Sequence, residues 1–319
     1  MCLGNLVADL VGRPIDSLPA KGTQGLVERM ELHTGGCAAN TGVALTKLGA
    51  RTAVAGKVGR DGLGEFVVNR LRDSGCDIGG ISRDELVPTS STMVLVHSDG
   101  ERSFLHCFGA NATLNLDDIN LERLFKTSIL HIAGALTLNA LDSEPTAKIL
   151  KEAKSRGIVT SLDVVWDAQG EWLPKIECCL PFVDYFLPNL SEAKMLAVGC
   201  EDADSAARFF LEKGVGTVCI KMGDRGSLAM THGANGDVKT IVTPAYSVEA
   251  IDGLGAGDSF NAGFFVGLLK GWTLEKSLEF ASAVGACCVS SLGATTGVRS
   301  FDETLEFMTN HSLRKSQLG

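Results

Sequence analysis

Strand-like and helix-like segments alternate along this chain from one end to the other, and no other feature limits its fold as much. TAVAGKVG reads as a strand and GLGEFVVNRLRDSG as the amphipathic helix that follows it. SILHIAGAL precedes a helix around SEPTAKILKEAKSRG, IVTSLDVV is the next strand, and DYFLPN, SEAKMLAVG and GTVCIKMG continue the rhythm. Strands that take turns with helices pair in parallel, and a parallel sheet must be covered on both faces. The expected class is therefore α/β, a mainly parallel central sheet flanked by helices. The opening MCLGNLVADL reads as the second half of a buried strand, a pattern that starts abruptly.

Two segments break the rhythm. QGLVERMELH alternates like an exposed strand, and STMVLVHSDGERSFLHCF reads as a hairpin turning at Ser98, Asp99 and Gly100. They could form a small antiparallel sheet standing off the main one. No linker, low-complexity stretch or internal repeat divides the chain, so residues 1–319 read as a single domain with a small β appendage.

Composition excludes several functions. The formal net charge of −9 comes without any basic run, which argues against nucleic acid and anionic membrane as partners. No stretch of about 18 apolar residues is free of polar breaks, and no basic start leads into an apolar run, so neither a membrane span nor a signal peptide is expected. The ten cysteines form no CxxC pair and sit mostly in apolar surroundings such as GACCV. That favours reduced, buried thiols and a cytoplasmic protein over a disulfide framework. The six histidines show no metal-ligand spacing.

The strongest chemical signal is Asp252-Gly253-Leu254-Gly255-Ala256-Gly257-Asp258-Ser259-Phe260 before the apolar stretch NAGFFVGLLKGW. Glycines just before a helix let free backbone N–H groups converge on one anion, favoured there by the helix dipole. Asp258 would lie beside that anion. A base for a hydroxyl next to donors for phosphoryl oxygens is what phosphoryl transfer requires. A Gly-rich turn capped by an acidic residue explains the same letters without function. Other glycine motifs fail: Gly49 and Gly56-Lys57 are too far apart for a P-loop, Asp258 stands where a Rossmann fingerprint needs Gly or Ala, and GxSxG is absent.

A second signal, Thr34-Gly35-Gly36-Cys37-Ala38-Ala39-Asn40, again opens a helix with glycines. It offers either a backbone surface for a polyhydroxyl ligand, with Asn40 as a hydrogen-bonding group, or tight helix–sheet packing. Asp9, after a short buried strand, could accept bonds from two sugar hydroxyls or serve as a turn residue.

Together these segments resemble the ribokinase, or PfkB, family of carbohydrate kinases. The early match is GGCAANTGVALTKLGARTAVAGKVGRDGLG and the late one DGLGAGDSFNAGF, more than 200 residues apart and in the family's order. The resemblance implies a ribokinase-like three-layer sandwich with a β-sheet lid, here residues 20–34 and 88–110, that often forms part of a homodimer interface. It implies ATP and Mg²⁺ as cofactors and a sugar hydroxyl as acceptor. Asp258 matches the catalytic base, Gly255, Ala256 and Gly257 the anion hole, and Asp9, Gly35, Gly36 and Asn40 the sugar-binding positions. Asn189 and Glu192 in PNLSEAK match an Asn-x-x-Glu element near the phosphates and Mg²⁺, although a plain helix N-cap explains them too. Lys221, Gly223 and Gly226 match the nucleotide-binding turn, with Ser282 on the adenine side. Asp252, Ser291 and Gly293 mark where some members hold a monovalent cation such as K⁺.

The sequence departs from the family at Gly253 and Lys221, where Thr is usual, at Ser282, where Asn is frequent, and at Val7, where ribokinases carry Asn. The expected function is ATP-dependent phosphorylation of a sugar or sugar-like hydroxyl. A nucleoside kinase of the same fold, with Phe104 and Phe108 near the base, and a catalytically silent sugar sensor are the alternatives.

Overall fold

A computed structural model describes residues 1–233 and 235–314. Thirteen strands run in chain order as β1 Cys2–Gly4, β2 Val7–Arg13, β3 Arg29–Gly35, β4 Ala53–Gly59, β5 Asp77–Asp84, β6 Ser91–Val96, β7 Arg102–Cys107, β8 Ile129–Ala135, β9 Val159–Val164, β10 Tyr185–Phe186, β11 Thr217–Lys221, β12 Ser227–His232 and β13 Val238–Thr243. The helices are α1 Cys37–Lys47, α2 Gly62–Asp73, α3 Gly109–Thr113, α4 Leu121–Leu124, α5 Glu144–Ser155, α6 Leu190–Leu196, α7 Ala203–Glu212, α8 Ala256–Leu269, α9 Leu274–Val289 and α10 Phe301–Asn310.

Nine strands form the central sheet in the order β13-β12-β11-β10-β9-β8-β1-β4-β5. Pairing is parallel from β11 through β5, and only β12 and β13 run antiparallel at one edge. The expected α/β class with a mainly parallel sheet is what the chain adopts. Its interior strand β8 is buried at every position, as a strand covered on both faces must be. One core cluster, with Phe186 and Phe210, fills one side of the sheet, and another, with Phe264, Phe265 and Phe280, packs α1, α8 and α9 against the rest.

The off-rhythm segments supply three of the four strands of a second sheet, β3-β2-β6-β7. It differs from expectation in two ways. β2 and β6 pair in parallel, so the sheet is mixed, and no strand forms over residues 20–28. MCLGNLVADL is also not one strand. It divides after Gly4, with β1 in the central sheet and β2 in the small one, because Asn111 captures both backbone groups of Leu6. Its Oδ1 accepts from Leu6 N and its Nδ2 donates to Leu6 O, each at 3.0 Å. A residue whose N–H and C=O are both taken by a side chain cannot continue a ladder.

Side chains alternate across β2, so Asp9, Val11 and Arg13 share one face with His33, Thr92 and Phe104 of neighbouring strands. The opposite face exposes Met30, Leu32, Met93 and Leu105. All ten cysteines are free thiols; Cys107 is exposed and the others are buried or half-buried. Among the described residues no helix is long and apolar enough to cross a membrane.

Candidate functional site

The loop before α8 reverses at Gly255, whose φ of 71° lies in the left-handed region, and a Cβ there would stand 2.2 Å from Ala294 O. Only glycine fits such a position. The turn brings Gly255, Ala256, Gly257 and Asp258 to the wall of one cavity of about 440 Å³. N–H groups in a helix's first turn lack intrahelical partners; Ala256 N makes only a long 3.3 Å bond to Gly253 O.

Asp258 is buried, and its Oδ2 accepts from Asn40 Nδ2 at 2.9 Å. Burial and the nearby Asp163 carboxylate push its pKa up to about 6, while Asn40, Lys221 and the Cys37 thiol act in the opposite sense. An ionised carboxylate with raised proton affinity is suited to act as a base near neutral pH.

Lys221, at the end of β11, reaches into the same cavity. Its Nζ lies 3.2 Å from Asp163 Oδ1 and 3.4 Å from Asn261 Oδ1, and Asn261 Nδ2 donates to Asp163 Oδ2 at 2.7 Å. Burial alone would lower the lysine's proton affinity, but Asp163, Glu192 and Asp258 outweigh it, so the ammonium stays charged. A Cβ on Gly257 would stand 3.3 Å from that Nζ, which puts a fixed positive charge against the glycine turn. Asp163 and Asn261 escaped the sequence reading. The available signal was a carboxylate at the end of IVTSLDVV, an otherwise apolar buried strand.

Asn189 and Glu192 form a capping box on α6: Asn189 Oδ1 accepts from Glu192 N and Glu192 Oε2 from Asn189 N, at 2.9 and 2.8 Å. Both also line the cavity, so the capping reading does not exclude a second role. Burial and the Asp163 charge raise the Glu192 pKa. Gly223 and Gly226, both with positive φ, also line the cavity, as does Ser282, whose hydroxyl donates to Pro244 O at 3.1 Å.

Asn40 also borders a second, tighter cavity beneath the small sheet, with Arg13, His33, Arg70, Arg102 and Asp252 on its walls. Asp9 lies on the face of β2 turned this way, half-buried. Burial raises its pKa, opposed by Thr92 and His33. Its carboxylate covers Gly35, where a Cβ would fall 1.9 Å from Oδ2. Gly36 caps the start of α1 with φ 91°. Asp9, Gly35 and Gly36 thus surround the approach to Asn40 without lining either cavity.

The third expected group comes together differently. Asp252 Oδ2 accepts from Gly293 N and Oδ1 from Leu254 N, both at 2.8 Å, and Oδ1 also meets Arg102 Nη1 at 2.7 Å. Burial pushes this carboxyl up, yet Arg102 and the two N–H groups more than offset it and hold it below the usual range. Ser291 is in the same turn, its N–H on Cys288 O at 3.3 Å. A carboxylate already neutralised by a guanidinium is a poor ligand for the K⁺ expected at Asp252, Ser291 and Gly293. Arg102, which sequence reading passed over as a hairpin residue, supplies that guanidinium.

Comparison with known proteins gives the family and the fold. The pfkB family carbohydrate kinase pattern matches residues 1–300. An uncharacterized sugar kinase of Archaeoglobus fulgidus is 33% identical over 260 residues, which is 81% of this chain and 99% of that protein. The structure of Arabidopsis thaliana ribokinase complexed with ribose and ATP superposes with a TM-score of 0.82 at 26% identity, covering 96% of this chain and 97% of the other. An E. coli protein assigned as a ribokinase II, in complex with ATP and Mg²⁺, gives 0.82 at 25% identity, covering 97% and 98%.

Proposed function

The chain belongs to the pfkB family of carbohydrate kinases, and from that premise we propose that it transfers the γ-phosphoryl group of MgATP to a hydroxyl of a sugar or sugar-like acceptor, with Asp258 as the base. The observation that carries this reading is the first turn of α8. Asp258 sits there beside the glycine turn, linked to Asn40 on the acceptor side and lying close to the Lys221 charge on the nucleotide side.

In this reading the acceptor hydroxyl approaches Asp258 from the cavity bordered by Asn40. Asp258 takes its proton as the new O–P bond forms, and the bond to ADP breaks on the far side. The N–H groups of Gly255, Ala256 and Gly257 hold the transferring oxygens, preorganised by the helix. Lys221 supplies a positive charge at the same place, a departure from the Thr usual in the family. Mg²⁺ arriving with ATP supplies further positive charge to the phosphate oxygens. Asn189 and Glu192 are the residues that would hold it, which fits a carboxylate buried in the cavity wall. Mg²⁺ commonly keeps water and phosphate ligands and needs only one or two from the protein.

The small sheet, residues 7–13, 29–35, 91–96 and 102–107, acts as the lid in this reading. Arg102 joins it to the anion-hole loop through Asp252, so closure excludes water and braces the loop in one movement. Its outer face, with Met30, Leu32, Met93 and Leu105 exposed, supports a homodimer through paired lids.

The test is ADP release from MgATP over a panel of sugars, sugar acids, sugar phosphates and nucleosides, beside Asp258→Asn. Turnover of one class, lost by orders of magnitude in the variant with ATP binding retained, is the expected result. Near-parental turnover in Asp258→Asn would remove Asp258 as the base.

A further inference from the structure

The charge on the walls of the acceptor cavity is unbalanced. Four basic side chains line it, Arg13, His33, Arg70 and Arg102, against two carboxylates, Glu31 and Asp252. Both carboxylates are already answered. Arg102 holds Asp252 at 2.7 Å, while Arg29 and, at 3.8 Å, His33 attend Glu31. Among the described residues neither Arg13 nor Arg70 has a carboxylate within 4.0 Å. Arg13 is half-buried and Arg70 exposed, and although a chain with formal charge −9 has acidic residues to spare, none is placed against them, so the cavity wall keeps two guanidiniums free to meet an anion.

We propose that the acceptor is anionic, a sugar acid or a sugar phosphate, and that Arg13 and Arg70 bind its carboxylate or phosphate while its reacting hydroxyl lies at Asp258. The inference rests on the kinase reading of this site and goes further by assigning the acceptor's class. Guanidinium is the side chain suited to it, because its planar fork gives two parallel N–H bonds to either anion. The register supplies the direction. Asp9 and Arg13 point from the same face of β2, separated by four residues, about 13 Å along the strand. An extended acceptor whose hydroxyls meet Asp9 and Asn40 therefore has its far end directed towards Arg13, with Arg70 of α2 at the mouth of the same cavity. A neutral pentose or hexose would leave these charges without function, and a nucleoside would set its base against a cationic wall.

The experiment compares a hexose with its aldonate and with its phosphate monoester, at saturating MgATP, by ADP release. An anionic member should show kcat/KM at least 100-fold above the neutral sugar. Arg13→Gln and Arg70→Gln should each raise its KM about tenfold or more without changing the KM for MgATP, and Arg13→Lys should recover part of the loss. The aldonate and phosphate arms tell the two anions apart. A neutral sugar or nucleoside turned over best, with a KM indifferent to both Gln variants, would overturn the proposal and leave the kinase reading intact. If no acceptor turns over, titration calorimetry with a non-hydrolysable MgATP analogue decides. Binding of an aldonate or sugar phosphate that is weakened in Arg13→Gln sustains the proposal, while neutral and anionic sugars bound alike, or neither bound, refutes it.

Discussion

Asp258→Asn should make this protein more stable as it makes it inactive, and the gain should depend on pH. A carboxyl that titrates ordinarily at 3.8 titrates here at about 6, chiefly through burial and then through the Asp163 charge. Between those values the folded chain holds a proton that the unfolded chain has lost, so stability falls as pH rises from about 4 to about 6, and the full penalty remains above that. At about 1.4 kcal/mol per tenfold change in proton affinity, the ionised carboxylate costs the fold about 3 kcal/mol at neutral pH. Asparagine keeps the shape and an acceptor for Asn40 but carries no charge. Lys221 loses one of its negative neighbours in exchange, so about 3 kcal/mol is a ceiling. Urea unfolding at pH 7.5 should show the variant more stable by about 1–3 kcal/mol, with the difference vanishing near pH 4, while kcat falls by about 10²–10⁴. A variant less stable than the parent at pH 7.5, or a gain that does not change with pH, would show that Asp258 is not a strained buried carboxylate.

At saturating MgATP, kcat/KM for the acceptor should fall about tenfold per pH unit below about 6, and Asn40→Ala should move that limb to higher pH because Asn40 holds the Asp258 pKa down. A limb that stays in place would mean that another group titrates. Lys221→Met should lower kcat by about 10²–10³, more than it raises the KM for ATP, because a fixed cation at the glycine turn is lost; unchanged kcat would remove Lys221 from the chemistry. By light scattering the parent should run as a dimer, and Met30→Glu together with Met93→Glu, both on the exposed outer face of the small sheet, should give a monomer. An unchanged mass would place the interface elsewhere.

What could be read from the sequence was what lies close together along it. The parallel sheet announced itself because each strand is a short apolar run with a helix beside it. The turn before α8 did so because a left-handed backbone against Ala294 admits only glycine, and glycines are visible as letters. Contacts that cross the chain left no such mark. Asp163, Lys221 and Asn261 meet from β9, β11 and α8, with 58 and 40 positions between Lys221 and its two partners. Nothing in IVTSLDVV says that its aspartate faces a lysine. The break in MCLGNLVADL was hidden for the same reason, since the residue that ends the strand is Asn111, 105 positions away. Arg102 read as an ordinary hairpin residue because its partner, Asp252, belongs to another layer.

That division between local and distant residues follows from what each group must do. The base and the phosphoryl donors cannot be allowed to move relative to one another, since a small misplacement of reacting groups is expensive in rate. In the proposed mechanism Asp258 and residues 255–257 meet this demand by sharing one helical turn, and the bond from Asn261 to Asp163 fixes the same helix to β9. The acceptor side is built the other way. Asp9, His33 and Arg13 come from strands of a separate small sheet, and of the residues on that face Arg102 is the one tied to the loop before α8, through Asp252. A fold arranged like this can keep one phosphoryl-transfer turn and vary its acceptor. For this chain the question of substrate therefore belongs to the face of the small sheet and the helix beside it, and above all to Arg13 of β2 and Arg70 of α2, which no carboxylate in the described structure neutralises.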